Sequence, residues 1–325
     1  GTYTLSRNIE LGDDDSGVVL EGWVDPVDGS RKAVLNRGNT NGTAVFEFTG
    51  GDDITIRGFG ITGGSDGVRL ANVDSDRVTV TGNEIFGNAS QGISFGSVGS
   101  GFGDSFVVSN NDIWGNQTGI SVWNGADRAT QSIVTGNRVH ANASTGISAG
   151  YNVLVSSNTA WGQSTGISLA YGATARGNVV FDNGTGILGG SDAVIDANRV
   201  YRNTTGISSD YVRWYGGATV TGNSVYSNST GIRLATEASD KPVTNNLVYG
   251  NTNDGIAAVN ASGQSYRIAN NTVYQPVGNA ISVTYSRNVR IENNILWTDA
   301  GFCIAVEASS QSGFASDYNL FWNTA

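Results

Sequence analysis

Residues 177–187 read GNVVFDNGTGI, and residues 197–207 read ANRVYRNTTGI. Both lines keep one order: Asn, apolar, aromatic, Asn, then Thr-Gly-Ile. Aligned on the first Asn, the phrase recurs at Asn83, Asn111, Asn137, Asn158, Asn178, Asn198, Asn223, Asn246, Asn271, Asn294 and Asn319, at intervals of 20 to 28 residues. A second amide follows five residues later, at Asn88, Asn116, Asn142, Gln163, Asn183, Asn203, Asn228 and Asn251; Pro276 and Asp299 are read as breaking that row. Gly-Ile or a close variant closes each phrase, from Gly67-Val68 to Gly255-Ile256, and residues 54–64 fit with Phe59 in the place of the first Asn. Self-similarity at this period marks a repeat architecture. Short β-branched runs with period-2 alternation lie between the marks, such as VTV (78–80) and VRI (289–291). Each repeat therefore offers about three short strands and no helix.

Three strands in twenty-odd residues is the unit of a parallel β-helix, with coils stacked at roughly 4.8 Å. Asn side chains stacked coil on coil can bond to one another and to turn carbonyls. Gly before Ile suits a place where a Cβ would clash or φ must be positive. The recurring (G/N)N-x-(I/V)-x-x-N-x-x-x-GI unit resembles the right-handed parallel β-helix repeat of the pectin lyase-like superfamily over residues 54–325, and the opening GTYTLSRNIEL (1–11) resembles its lead-in. The expected fold is all-β: a single-stranded right-handed parallel β-helix of about 11–13 coils, with Asn ladders in the turns. Residues 1–50 are expected to form an N-terminal cap and first coils, and residues 51–325 one continuous β-helix whose C-terminal end is uncapped. Further domains of the same chain, or a partner subunit, are expected beyond that end.

Charged residues are 14% of the chain, Gly contributes 46 of 325 residues, and the net charge is −10. An acidic surface argues against nucleic acid and anionic membranes as partners, and no apolar run is long enough for membrane insertion. Cys303 stands alone, which excludes an internal disulfide, and its repeat slot, usually held by Gly, predicts a small buried residue. The triplets beginning at Asn88, Asn116, Asn142, Asn183, Asn203 and Asn228 match the N-glycosylation pattern, but these Asn belong to the ladder.

Alternation also assigns faces. If the first Asn points inward, the residue three later points outward: Phe86, Trp114, His140, Trp161, Phe181, Tyr201, Tyr226, Tyr249, Tyr274, Trp297 and Trp322. Mutual ring stacking is the favoured reading of this row, ahead of a covered interface and of sugar binding. His140, the single histidine, is then a rung of the stack rather than a catalytic base.

The strand after Gly-Ile carries a smaller outward row, Ser94, Ser121, Ser148, Ser168, Leu188, Ser208 and Arg233. Coils between 158 and 198 are minimal, whereas segments 96–104, 123–131, 210–217 and 235–241 are longer. Short coils flanked by long loops predict a trough for a chain-like ligand. The resemblance implies carbohydrate-directed chemistry. In a lyase, an Arg, Lys, Tyr or His base abstracts the proton α to a uronate carboxyl group, and a cation or amide neutralises that group. Tyr171, Asp192, Asp210, Tyr211, Arg213 and Arg233 are the catalytic candidates, and Trp123, Tyr151, Trp214, Tyr215 and Glu237 the substrate-binding ones. Lysine is scarce, with only Lys32 and Lys241, so a lysine base is set aside. A hydrolase would draw on Asp192, Asp210, Glu237 and Asp240, which form no compact acidic motif. The Tyr–Asp–His motif implied for alginate-type epimerases is not found. No metal centre is expected, although the acidic turns at 12–17, 50–53 and 72–77 carry the oxygen ligands that Ca²⁺ prefers. Two functional readings follow. One is a secreted, bacterial, extracellular or cell-surface polysaccharide-active enzyme with lyase-like β-elimination on an acidic glycan. The other is a non-catalytic carbohydrate-binding module or the stalk of a larger adhesin.

Overall fold

The computed structural model describes residues 1–31, 33–38, 42–70, 74–96, 103–124, 130–190, 192–210, 217–235, 241–260 and 266–324. Short parallel strands make up nearly all of its regular structure, with two three-residue 3₁₀ turns, Asp13–Asp15 and Ala308–Ser310. Each coil of this right-handed parallel β-helix gives one strand to each of three sheets, here called A, B and C in chain order. The aromatic-bearing strand lies in sheet A, the Gly-Ile strand in sheet B, and the strand before the first Asn in sheet C. The chain forms two compact units, residues 1–164 and 165–325.

In the first unit the register is set by one aliphatic column per sheet. Ile85, Ile113 and Val139 pair in succession in sheet A, as do Ile93, Ile120 and Ile147 in sheet B, and Val80, Val108, Val134 and Val155 in sheet C. In the second unit Val180, Val200, Val225 and Val248 form the sheet A column and Ile187, Ile207, Ile232 and Ile256 the sheet B column. All of these side chains are fully buried. A one-residue slip would turn every member of a column to the surface, which is why the register holds. The first fifty residues already contribute strands to all three sheets, beginning with Thr2–Thr4, Ile9–Leu11 and Val19–Glu21.

The corners are closed by the Asn ladders. Asn223 donates its backbone N–H and its side-chain Nδ2 to Asn246 Oδ1, both at 3.0 Å, and Nδ2 also reaches the carbonyls of Ile195 and Thr221 at 2.9 Å. The same bonding repeats along each unit, from Asn83 to Asn158 and from Asn178 to Asn319. Buried amides are thereby paired, as burial demands. The residue before each ladder Asn is left-handed: Gly82, Asn110, Gly136 and Ser157 in the first unit, Ala197, Gly222, Asn245 and Asn270 among others in the second. Gly and Asn tolerate that conformation best, which explains the recurring Gly-Asn and Asn-Asn pairs.

Two expectations change. The second ladder does not stop at Pro276: the buried Gln275, one residue earlier, extends its longer side chain so that Oε1 accepts Asn251 N–H at 2.9 Å. Cys303 is half-buried rather than buried, because it leads into Ile304–Val306, the last sheet B strand described, and no further strand covers it. The glycine of Gly-Ile is required by space rather than by φ. A Cβ on Gly206 would sit 2.5 Å from the carbonyl oxygen of Gly231 in the next coil, and one on Gly119 would sit 2.6 Å from that of Gly146.

Candidate functional site

Sheet A carries the aromatic row on its outer face, and the rings stack on one another. Phe86 lies 4.8 Å from Trp114 at 6° between planes, and His140 lies 4.4 Å from Trp161 at 11°. In the second unit Phe181, Tyr201, Tyr226 and Tyr249 follow at 4.8 to 5.1 Å and within 9°. From Phe86 to Trp161 and from Phe181 to Tyr249 ring faces are thus occupied by neighbouring rings, whereas Tyr274, Trp297 and Trp322 meet at 56° and 65° and the last two are 45% and 63% exposed. The row is scaffold. His140 is one rung of it, and its Nε2 lies 3.0 Å from Asp112 Oδ1.

Sheet B positions the candidate site. In the second unit its outward column runs Ser168, Leu188, Ser208, Arg233, Ala257 and Ser282. Arg233 stands between Ser208 and Ala257, two small residues each 5% exposed. Its guanidinium makes no hydrogen bond or ion pair among the described residues. A cation over a floor of small residues can receive an anion without first losing a partner.

At the corner from sheet B to sheet C, side chains stand on left-handed backbone: Tyr151 (φ 51°), Tyr171 (φ 49°), Asp192 (φ 63°) and Tyr285 (φ 49°). Such positions are rare outside glycine, and where they gather they mark places where a side chain is held out for use. Asp192 does not stand alone. Its Oδ1 lies 2.8 Å from Lys241 Nζ, with the two residues half-exposed. Sequence reasoning set Lys241 aside; the structure brings it to the candidate carboxylate. The pair joins alternate coils, Val194–Asp196 and Pro242–Thr244 being separated in sheet C by Thr219–Thr221. Asp210 follows the strand paired with that of Arg233, and its N–H donates to Gly189 at 2.9 Å.

Rung counting separates the candidates. With rungs about 4.8 Å apart, Asp210 lies one rung from Arg233, Asp192 two and Tyr171 three, the last about 14 Å away. Tyr171 and Arg233 thus stand three rungs apart. Tyr211, Arg213, Trp214, Tyr215 and Glu237 lie outside the described residues, as do Asp240 and most of the four long loops.

Trp123 and Tyr151 come together in the first unit, with ring centroids 5.7 Å apart and planes at 66°. The Trp123 ring lies over Gly150, where a Cβ would meet it at 2.4 Å, and only 9% of Trp123 is exposed. Both are thus packed against each other on the sheet B face.

In the acidic turns several carboxylates are paired internally. Arg77 Nε donates to Asp53 Oδ1 at 2.6 Å, Asp52 Oδ1 accepts the N–H of Asp76, and Asp76 Oδ1 accepts that of Asp104. The hydrogen bond from Arg77 holds the Asp53 carboxyl below its ordinary range. Burial, then Asp104, Asp74 and Asp52, pushes the Asp76 carboxyl up. Among the described residues no group of three or more His, Cys, Asp or Glu side chains is arranged to hold a metal ion.

The family described as right handed beta helix region matches residues 46–194 and 187–321. The chain belongs to this family. No curated protein matches the sequence. Among solved structures, this β-helix is similar to the A-module of mannuronan C-5 epimerase AlgE6 of Azotobacter vinelandii, with a TM-score of 0.56 and 13% identity over 99% of this chain and 88% of that one. The periplasmic alginate epimerase AlgG gives 0.55 and 12% over 90% and 76%. The catalytic unit of a GH87 α-1,3-glucanase from Streptomyces thermodiastaticus gives 0.58 and 13% over 100% and 71%. At these identities the likeness is one of fold. Among the described residues no helix is long and apolar enough to cross a membrane.

Proposed function

We propose that this β-helix is a secreted, carbohydrate-active protein that binds an acidic polysaccharide along the outer face of sheet B and cleaves it by β-elimination. The observation that carries the reading is Arg233, a guanidinium without an ionic partner among the described residues, standing over small side chains. The structural likeness to alginate and mannuronan epimerases and to a glucanase supports a glycan as ligand.

Arg233 takes the uronate carboxylate and lowers the cost of carbanion character at the adjacent carbon. A base removes the α proton, and Tyr211, next to Asp210 in the sequence, is the candidate. The electron pair forms the carbon–carbon double bond, the glycosidic carbon–oxygen bond breaks, and the leaving oxygen gains a proton. Lys241, held by Asp192 two rungs away, engages a neighbouring carboxylate of the same chain. Tyr171, three rungs away, lines a more distant subsite.

Incubation with alginate and polygalacturonate should produce ultraviolet-absorbing unsaturated ends together with new reducing ends. Arg233→Ala should lower turnover by at least 100-fold, on the scale of removing one electrostatic contact to the reacting group, and Tyr211→Phe should abolish it while folding is retained. If no uronate polysaccharide yields product, yet the protein is retained on insoluble glycan, the enzyme reading falls and the non-catalytic binding module takes its place.

A further inference from the structure

A shallow, open polar depression lies in the unit 165–325, at the corner where sheet A turns into sheet B. Its volume is about 430 Å³, inside the 300–1,000 Å³ usual for small-molecule sites. Asp182, Arg202, Thr204, Ser227, Ser229 and Thr252 line it. These residues come from four successive coils, so the depression runs along the coil axis for about 14 Å at the usual strand spacing. An elongated polar slot of that kind suits a chain of rings better than a compact ion.

Its centre is an organised ion pair. Arg202 Nε and Nη2 donate to Asp182 Oδ1 and Oδ2, both at 2.8 Å. The guanidinium also lies over the rings of Phe181 and Tyr201, at 5.4 and 5.1 Å from their centroids. Rings and carboxylate together fix the fork in place before any ligand arrives. Two of the five guanidinium N–H donors are used, and the carboxylate keeps lone pairs on both oxygens. The hydroxyls of Thr204, Ser227, Ser229 and Thr252 make no hydrogen bond among the described residues.

The backbone points the same way. Asp182, Arg202 and Ser227 have φ of 54–55°, in the left-handed region that glycine fills without cost. An ion pair whose side chains are 46% and 55% exposed contributes little to stability. Strained positions that return no stability are those from which a function is argued.

We propose that this corner is a binding subsite for neutral pyranosides, recognising a vicinal diol. One sugar hydroxyl donates to Asp182, its neighbour accepts from Arg202, and the free Ser and Thr hydroxyls follow the chain along the slot. The ligand is neutral because the one cation of the site is already cancelled by Asp182, and the chain carries a net charge of −10. An anionic sugar would find no uncompensated charge there. The subsite does not depend on the acidic-glycan reaction assigned to sheet B.

Affinity electrophoresis through gels containing β-1,3-glucan, xylan or galactomannan tests it, with alginate as the acidic control. At least one neutral glycan should retard the protein. Asp182→Gly and Arg202→Gly preserve the left-handed backbone, and each should weaken that retardation at least tenfold without lowering thermal stability or changing action on alginate. Ser229→Trp, which fills the slot, should do the same. Retardation by none of the neutral glycans overturns the proposal. So does neutral-glycan binding that survives both glycine variants, or that is lost in Arg233→Ala instead. Absence of any product from alginate with the unmutated protein, neutral binding being intact, would sink the sheet B reading alone.

Discussion

The turn from sheet A to sheet B is built from different letters in the two units. In residues 1–164 the left-handed position before the second ladder amide is Gly87, Gly115, Ala141 and Gly162; in residues 165–325 it is Asp182, Arg202, Ser227 and Gly250. The hydrogen-bonding frame is the same in both. Asn88 passes to Asn116 and Asn142 in one, Asn183 to Asn203 and Asn228 in the other, with side-chain bonds of 3.1 Å throughout. A frame that tolerates glycine at this point does not need Asp or Arg there. What differs between the units is decoration, and decoration on a strained backbone is where function is to be sought.

The comparison makes four predictions. The ladder should matter equally in both units. Asn116→Leu and Asn203→Leu each orphan a backbone N–H, that of Asn88 or of Asn183, and strip donors from nearby carbonyls. At about 1–3 kcal/mol per orphaned group, each should cost on the order of 3–5 kcal/mol in urea unfolding. Unequal costs would show that the two frames are not equivalent. Next come Gly119→Ala and Gly206→Ala, whose new methyl groups meet the following coil's carbonyl at 2.6 and 2.5 Å. Each should lose about 1–3 kcal/mol through overpacking.

Tyr226→Ala should cost a similar or smaller amount. Tyr226 stacks on Tyr201 and Tyr249 at 5.1 and 4.8 Å and accepts a hydrogen bond from Arg199. Each ring pair contributes about 0.5–1.5 kcal/mol beyond burial, and Tyr226→Phe should retain most of that. The smallest effect is the most diagnostic. Gly115→Asp should destabilise by about 1–2 kcal/mol, the cost of a left-handed side chain. Asp182→Gly should be neutral or stabilising by up to about 1 kcal/mol, because strain is relieved and only an exposed ion pair is lost. A loss of several kcal/mol in Asp182→Gly would make the pair structural and remove the reason to call the corner a site.

The scaffold was legible in the sequence because each of its duties repeats at one position per coil. Asn83 to Asn319 stand in the ladder, and the aromatic row stands in the stack, both as the periodicity required. Legibility fails where geometry is read by atoms rather than by residue position. Gln275 keeps the second ladder going from one residue early, since an extra methylene restores the place of its carbonyl oxygen. Lys241 and Asp192 are far apart in sequence and meet across an intervening coil, so no local pattern announces them. The corner slot was missed for the opposite reason: its residues sit inside the most regular phrase, where Asp182 and Arg202 read as filler between ladder amides. The repeating phrase thus carries, in two of its letters, the ion pair of the polar corner slot.

The buried second ladder has a consequence for production of the protein. Asn88, Asn116, Asn142, Asn183, Asn203 and Asn228 each open an N-x-S/T triplet, and each is at most 5% exposed once the coil has closed. In a eukaryotic secretory pathway such triplets are glycan acceptors, and transfer takes place on the emerging, unfolded chain. A single glycan attached there could not be accommodated between stacked coils. The protein is therefore expected to fold in hosts without N-glycosylation and to fail in those with it, unless the triplets are silenced at their Ser or Thr, leaving the ladder amides in place.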